Sequence, residues 1–518
     1  MQFSTKKIML VPTLAKSARL LFFNSLNQTW ERFLEIVFPI RKSELPRFCT
    51  ITALLFCILS VQNIAKALKD SLITTLVATE VISILKIWCV LPLAILVSIA
   101  YVKIIKHVKT EYIFYAVVGF FVFFFMAFAF LLFPNRGMSD SSAILLQIGT
   151  QWPHLKWFML ILKNWDCALL YVIAEMWSNV VFALLFWQFI NSVTSVSESK
   201  RFYILFGLLG QTGLFVSGIL LANITNIAST LTDLLNLSTP RTVLCVQITL
   251  SIMSILGILI IALFWILNHF IIDKNIITQA SLLVKRNQKL SDSIKIVAKS
   301  RYVRLIGLLL ISYGTAISTI DLVWREKMRL LYRMPELNMA FTGFTLKCSG
   351  IVTLLCVLLG SQIIRRFGWT VGATIPPLCT LISGLIFFTS TNFSVIESGI
   401  AAILSIQPAL VALIAGTAQN IIIKSTKYTL FDATKEMLYV PLDSELKTQG
   451  KACTEVIGSK LGKSLGSLLQ AGAFIIIPSA TYGSIGTYLM TVFIMTCLVW
   501  YYAVHHLGKE YNKAIAKH

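Results

Sequence analysis

The chain has 518 residues, 57% of them hydrophobic and 13% charged, with a mean hydropathy of +0.79 and a formal net charge of +22. A soluble domain carries about a quarter charged residues, so this composition excludes an ordinary soluble protein and points to lipid. The surplus of basic residues does not point to nucleic acid, because most of them sit in loops flanking apolar runs, where they set topology, and no basic domain stands clear of those runs.

Residues 1–48 form a basic N-terminal segment, in which Ser17 to Ile40 carries Leu and Phe at helical spacing with Arg19 and Arg32 and suits a membrane interface. At ~20 residues per crossing, about twelve membrane helices follow. They lie near 49–76, 81–104, 113–133, 165–192, 202–223, 243–272, 303–325, 340–364, 370–391, 397–421, 460–478 and 485–507. Residues 138–164, with Trp152-Pro153-His154, read as a long loop touching the membrane, and 224–242 as a loop with one basic residue, Arg241. The expected division is a six-helix half at 49–273, a basic linker at 274–302, a second half at 303–507 and a tail at 508–518. Lys103, Lys106, Lys109, Lys200, Arg201, Arg365, Arg366 and the linker cations all fall on the side of the termini, which is therefore expected to be cytoplasmic in a cell or inner membrane. The fold class expected is an all-α integral membrane protein.

A charge at the bilayer centre costs about 2.5–3.5 kcal/mol on insertion scales, so each needs a partner or a task. Lys66, Lys69 and Asp70 lie near the end of the first span, where Asp70 is four residues from Lys66 and can pair with it. Glu175 lies in the fourth span, Asp321 late in the seventh with Arg325 and Lys327 after it, and Lys347 in the eighth. Lys86 in the second span can snorkel to the interface. Between 426 and 470 runs a polar segment rich in Lys, including Lys427, Lys435 and Lys463, held between apolar stretches. Internal ion pairs that fix helix register account for any one of these charges. As a set, several cations with isolated carboxylates converge on an anionic, phosphate-bearing solute, with Glu175 and Asp321 placed to carry a coupled proton or to hold the cations apart when the site is empty.

Gly458 to Ser464, GSKLGKS, imitates a phosphate loop, but three residues separate its glycines where that motif needs four, and no strand precedes it. Gly458, Gly462 and Gly466 recur every fourth residue and instead suit close helix packing. The ten cysteines contain no CxxC and the six histidines no metal spacing, so neither a metal nor a cofactor is expected.

Five stretches carry a resemblance: FPIRKSEL, LKDSLI, AEMWSNVVFALLFWQFIN, ESKRFYILFGLLGQTG and KYTLFDATKEMLYVPLDSELKTQGKA, the last followed by LGKSLGSLLQ. With them the sequence resembles the nucleotide transporter family, the ATP/ADP translocases of obligate intracellular bacteria and plastids. The resemblance implies a twelve-helix, major-facilitator-like fold, alternating access, and nucleotide substrates that are exchanged or taken up with protons; NAD is carried by some members. By motif, the family's important charges fall on Lys69, Glu175, Asp321 (a Glu in the exchangers) and Lys435. Where exchangers read a Tyr and then an Arg-Asp pair ahead of the KD motif, this chain has Gln62 and then Lys66-Ala67, and Gln211 stands at a family Asn. Those departures weigh against strict ATP/ADP exchange.

The expected function is secondary active transport of nucleotides by a monomer, with Lys66, Lys69, Asp70, Glu175, Asp321, Arg325, Lys327, Lys347, Lys435 and Lys463 along the path. NAD or another phosphorylated organic anion is the alternative solute. An enzyme is not expected, since no nucleophile, base and orienting group come together in the sequence. The nucleobase, the phosphate number and the choice between exchange and proton symport stay open.

Overall fold

The computed structural model describes residues 40–105, 107–136, 142–194, 198, 202, 205–206, 209–272, 300–442, 454 and 458–515. The expected interfacial stretch 17–40 and most of the basic linker lie outside these residues. In chain order the helices are α1 (Leu45–Leu76), α2 (Thr79–Tyr101), α3 (Thr110–Leu132), α4 (Ser142–Gln151), α5 (Lys156–Lys163), α6 (Trp165–Asn191), α7 (Thr212–Ala222) and α8 (Ile224–Leu235). They continue with α9 (Arg241–Ile271), α10 (Arg301–Leu331), α11 (Pro335–Val357), α12 (Gln362–Asn392), α13 (Ser394–Leu404), α14 (Pro408–Met437), α15 (Ser459–Ile476) and α16 (Gly486–Ala514).

Local chemistry sets several boundaries. Pro46, Pro335 and Pro408 occupy the first turns of α1, α11 and α14, where a missing N–H costs nothing. Ser300 caps α10, its Oγ accepting from the Val303 N–H at 3.4 Å. Near the start of α12 the chain turns at Gly368, whose φ of +81° suits only glycine.

Among the described residues, ten helices are long and apolar enough to cross a membrane, or eleven if α7 and α8, bent by 50°, form one span. The expected twelve is not reached by length and composition. The expected eleventh span is α15, whose polar residues, among them Lys460, Lys463 and Gln470, keep it out of that count. Residues 142–163 are not a loop but carry helices α4 and α5, and on α5 the apolar residues share a helical face and Trp157 is buried. The 224–242 loop likewise contains α8. The span expected at 397–421 is two elements: α13 ends at Ser405, which takes a left-handed φ of 52°, and α14 restarts at Pro408 and runs on to Met437. The opening of the Lys-rich segment is thus membrane-length helix, with Lys427 and Lys435 on its last turns.

The ends of the helices establish polarity. Tyr302 at the start of α10 donates to the Leu438 carbonyl at 2.8 Å, Trp369 donates to the Thr434 carbonyl at 2.8 Å, and the Trp369 and Tyr511 rings lie 5.2 Å apart. Because α1 and α10 also meet late in both helices, as described below, they run in the same direction. Leu45 and Ala514 therefore lie at one end of the bundle, called here the terminal end. At the opposite end, helices before residue 273 bond to helices after residue 299. Ser71 donates to Asn338 at 2.9 Å, Thr79 to Glu326 at 2.7 Å, Thr242 to Glu336 at 2.8 Å, and Trp157 to the Phe474 carbonyl at 3.1 Å. These bonds make a seam across the far end.

Candidate functional site

Above that seam, charges from both sets of helices meet. Glu175 of α6 lies 2.9 Å from the Lys69 ammonium of α1, and Lys69 lies 2.7 Å from Asp70. Asp70 reaches across to Arg325 of α10 at 2.8 Å, and Arg325 Nε donates to Asp321 one turn earlier at 3.2 Å. The result is an alternating row, Glu175–Lys69–Asp70–Arg325–Asp321. Asp70 thus pairs with Lys69 and Arg325, not with Lys66 as the four-residue spacing predicted: its carboxylate faces α10, and Lys66, one turn earlier, is exposed. Lys69, Asp70 and Arg325 are each 3% exposed, whereas Glu175 is 33% exposed, so the row is buried at its middle and open at the Glu175 end. The Tyr171 ring lies 3.7 Å from the Lys69 ammonium and screens it further.

A second group of cations surrounds the row. Lys66 and Lys424 line one recess with Asn63, Trp324, Arg325 and Thr342. Lys86 lies within electrostatic reach of Asp321, Asp70, Lys69 and Glu175, so it points into the bundle and does not snorkel. Lys463, exposed on α15, acts on Glu175, Lys66 and Asp321. Close packing places Lys463: a Cβ on Gly462 would lie 2.5 Å from the Ile311 carbonyl oxygen, and Thr315 Oγ1 donates to the Gly462 carbonyl at 3.0 Å. The glycine face expected from the sequence therefore packs α15 against α10 and brings Lys463 within electrostatic reach of Glu175 and Asp321.

Three π-helical turns begin at or beside these residues, at Lys86, Trp177 and Lys427. Such turns re-aim side chains at functional sites in many helices. Nearer the terminal end, Lys427 pairs with Asp432 at 2.8 Å and Lys435 lies 3.4 Å from Glu436.

Of the sequence-predicted residues, Lys66, Lys69, Asp70, Glu175, Asp321, Arg325 and Lys463 come together. Lys435 stands apart on the last turns of α14. Lys327 is turned about 200° from Arg325 on the same helix. Lys347 packs its backbone on α7, where a Cβ on Gly218 would meet the Lys347 nitrogen at 2.3 Å, and its ammonium lies 5.6 Å from the Phe344 ring. Sequence reasoning made neither Lys424 nor Tyr171 a site candidate. Lys424 had a legible signal, a cation in the last turn of the apolar run 408–426; Tyr171 had none, since an aromatic in an apolar span is ordinary.

The family described as TLC ATP/ADP transporter matches residues 23–511. The chain is 45% identical over 495 residues to "ADP,ATP carrier protein 4" of Rickettsia conorii, covering 95% of this chain and 97% of that one. It is 38% identical over 494 residues to "ADP,ATP carrier protein 3" of Rickettsia typhi, covering 93% and 98%. Among solved structures it resembles a bacterial homologue of the iron transporter ferroportin in an inward-facing state (TM-score 0.52, 13% identity, 88% of this chain and 98% of that one). It also resembles a variant of the nucleoside transporter NupG (TM-score 0.50, 9% identity, 89% and 99%). At such identities the likeness is one of fold, a major-facilitator-like helical bundle. The match over nearly the whole length, with near-complete coverage of the carriers, places the chain in the TLC ATP/ADP transporter family.

Proposed function

We propose that this chain carries nucleotides across a cell membrane by alternating access, as a monomer with both termini in the cytoplasm. One observation carries the reading. Around the path stand six cations, Lys66, Lys69, Lys86, Arg325, Lys424 and Lys463, against three carboxylates, Asp70, Glu175 and Asp321, a surplus of three positive charges among the described residues. Unneutralised cations inside a bundle are unfavourable unless an anion periodically joins them, and a nucleotide's phosphates supply that charge.

The helices of 49–273 and those of 303–507 are the two bodies that rock about the site, joined by 274–302. The seam at the far end and the path at the terminal end fit a conformation open to the cytoplasm. Lys427 and Lys435 near the open end meet incoming phosphates by exchanging them for Asp432 and Glu436. Asp70 and Arg325, bonded at the middle of the alternating row, hold the bodies together, with Lys69 fixing Asp70, and Glu175 and Asp321 gate by exchanging partners with the incoming phosphates.

The test is uptake of labelled nucleotides by cells expressing the protein, with unlabelled nucleotide, NAD and hexose phosphate as competitors, with and without an uncoupler. Nucleotide uptake blocked by nucleotide and indifferent to hexose phosphate is expected. Collapse by the uncoupler assigns proton symport, and dependence on internal nucleotide assigns exchange. Uptake competed by hexose phosphate as strongly as by nucleotide overturns the reading.

A further inference from the structure

The cations of the path are not equivalent. Lys69 is enclosed by Asp70, Glu175 and the Tyr171 ring, so its charge is already answered. Arg325 uses Nη2 on Asp70 and Nε on Asp321, but its Nη1 is buried with no hydrogen-bond partner. A buried donor left without an acceptor is unfavourable by about 1–3 kcal/mol, more on a charged group. Arg325 lines the recess that Lys66 and Lys424 also line, and each of those two ammonium groups carries no ion pair among the described residues. Lys424 lies within reach of Lys66 and Arg325, which repel it, and of Asp321 and Asp70, which attract it but are already bonded to Arg325. Asn63 and Thr342, which also line the recess, add neutral hydrogen-bonding groups.

We propose that Lys66, Lys424 and Arg325 Nη1 form a phosphoryl-binding subsite, with Lys424 the residue that sets how strongly the carrier prefers solutes with more phosphates. This rests on the transport reading above and goes beyond it by dividing the path in two. The alternating row is a lock between the bodies, and the recess is the anchor for one tetrahedral oxyanion. Two ammonium groups and a guanidinium N–H approach from three helices, α1, α14 and α10, an arrangement that suits the several oxygens of a phosphoryl group better than the planar edge of a carboxylate. The phosphoryl group is either the end of a nucleotide's phosphate chain or free inorganic phosphate; both offer the same oxygens.

The experiment uses the full chain in two assays. In reconstituted vesicles, concentration dependence is compared for nucleoside tri-, di- and monophosphate in the wild type and in Lys424→Gln and Lys424→Arg. Loss of a charge-assisted hydrogen bond predicts a KM about tenfold higher for the triphosphate in Lys424→Gln, a much smaller change for the monophosphate, a nearly constant maximal rate, and recovery in Lys424→Arg. In detergent, binding of inorganic phosphate is measured by its shift of the unfolding temperature. A shift that Lys424→Gln abolishes and Lys424→Arg keeps is expected. If nucleotide competes with that phosphate, the occupant is the nucleotide's own phosphoryl group; if both bind together, it is free phosphate. Equal loss for tri- and monophosphate in Lys424→Gln, or no change for either, together with a phosphate shift indifferent to residue 424, overturns the subsite. A wild type that moves no nucleotide but binds phosphate through Lys424 overturns only the transport reading.

Discussion

Asp70 of α1 and Arg325 of α10 lie 2.8 Å apart, and this bond ties the helices before the linker to those after it at the buried centre of the charge row. It sits just inside the seam formed by Ser71–Asn338 and Thr79–Glu326. Opening the far end therefore means breaking it. Removing one partner of a buried pair leaves the other charge stranded, at a cost of about 3–5 kcal/mol.

Asp70→Asn removes one of two carboxylate partners from each of Lys69 and Arg325, which keep Glu175 and Asp321, and cuts the link between the two sets of helices. The expected result is a loss of most transport and a far end that opens more readily. A cysteine placed at Ser71 and labelled by an impermeant thiol reagent from the far side reads the second effect. Unchanged uptake together with unchanged labelling contradicts the role given to this bond.

Lys69 and Glu175 meet at 2.9 Å, so their substitutions are expected to be non-additive. Lys69→Gln and Glu175→Gln each reduce uptake, and the double variant loses much less than the product of the two. A double-mutant cycle on uptake rate, with a coupling above about 1 kcal/mol, checks the pairing. Additive losses mean that the two act separately.

Glu80 opens α2 at the seam and is 6% exposed. Among the described residues it forms no ion pair, and Glu326 of α10 is its like-charged neighbour, itself clamped by Arg329 at 2.6 Å. Arg329 and Lys156 act on Glu80 from α10 and α5. Removing the unpaired charge with Glu80→Gln is expected to stabilise the closed seam, giving a higher unfolding temperature and less far-side labelling at residue 71. A destabilised protein with more labelling would show that Glu80 holds the seam through a charge interaction instead.

Gly462 is expected to tolerate no side chain, since even a Cβ comes within 2.5 Å of the Ile311 carbonyl. Gly462→Ala should destabilise by about 1–3 kcal/mol, the usual result of overpacking, and displace Lys463. Gly472→Ala, ten residues on with nothing within 4 Å of the added carbon, is the matched control. Thermal unfolding of both in detergent decides it, and equal stabilities would mean that α15 and α10 pack less closely than described.

The class of this protein was legible without coordinates, and so was much of its site. Apolar runs of membrane length are a one-dimensional signal, because lipid requires each crossing to satisfy its own backbone. A Lys or Glu inside such a run stands out for the same reason, which is how Lys69, Glu175 and Asp321 were found. The signal weakened where helix and polarity part company. α15 is helical but too polar to count as a span, α14 carries Lys427 and Lys435 on its helix beyond the apolar run, and α4, α5 and α8 are too short or too mixed to announce themselves.

The partners of those charges were beyond the reach of spacing. Local rules offered Lys66 to Asp70 because four residues share a helical face, yet the Asp70 carboxylate is taken by Lys69 beside it and by Arg325, 255 positions later in the sequence. The sequence alone determined which side chains lipid cannot tolerate unaided, since that depends only on residue type and on the length of the surrounding apolar run. The tertiary structure decided which of them are already neutralised and which, like Lys66 and Lys424, have no ion pair among the described residues, because Coulomb energy and hydrogen bonding depend on distances in space that only the packing of separate helices creates.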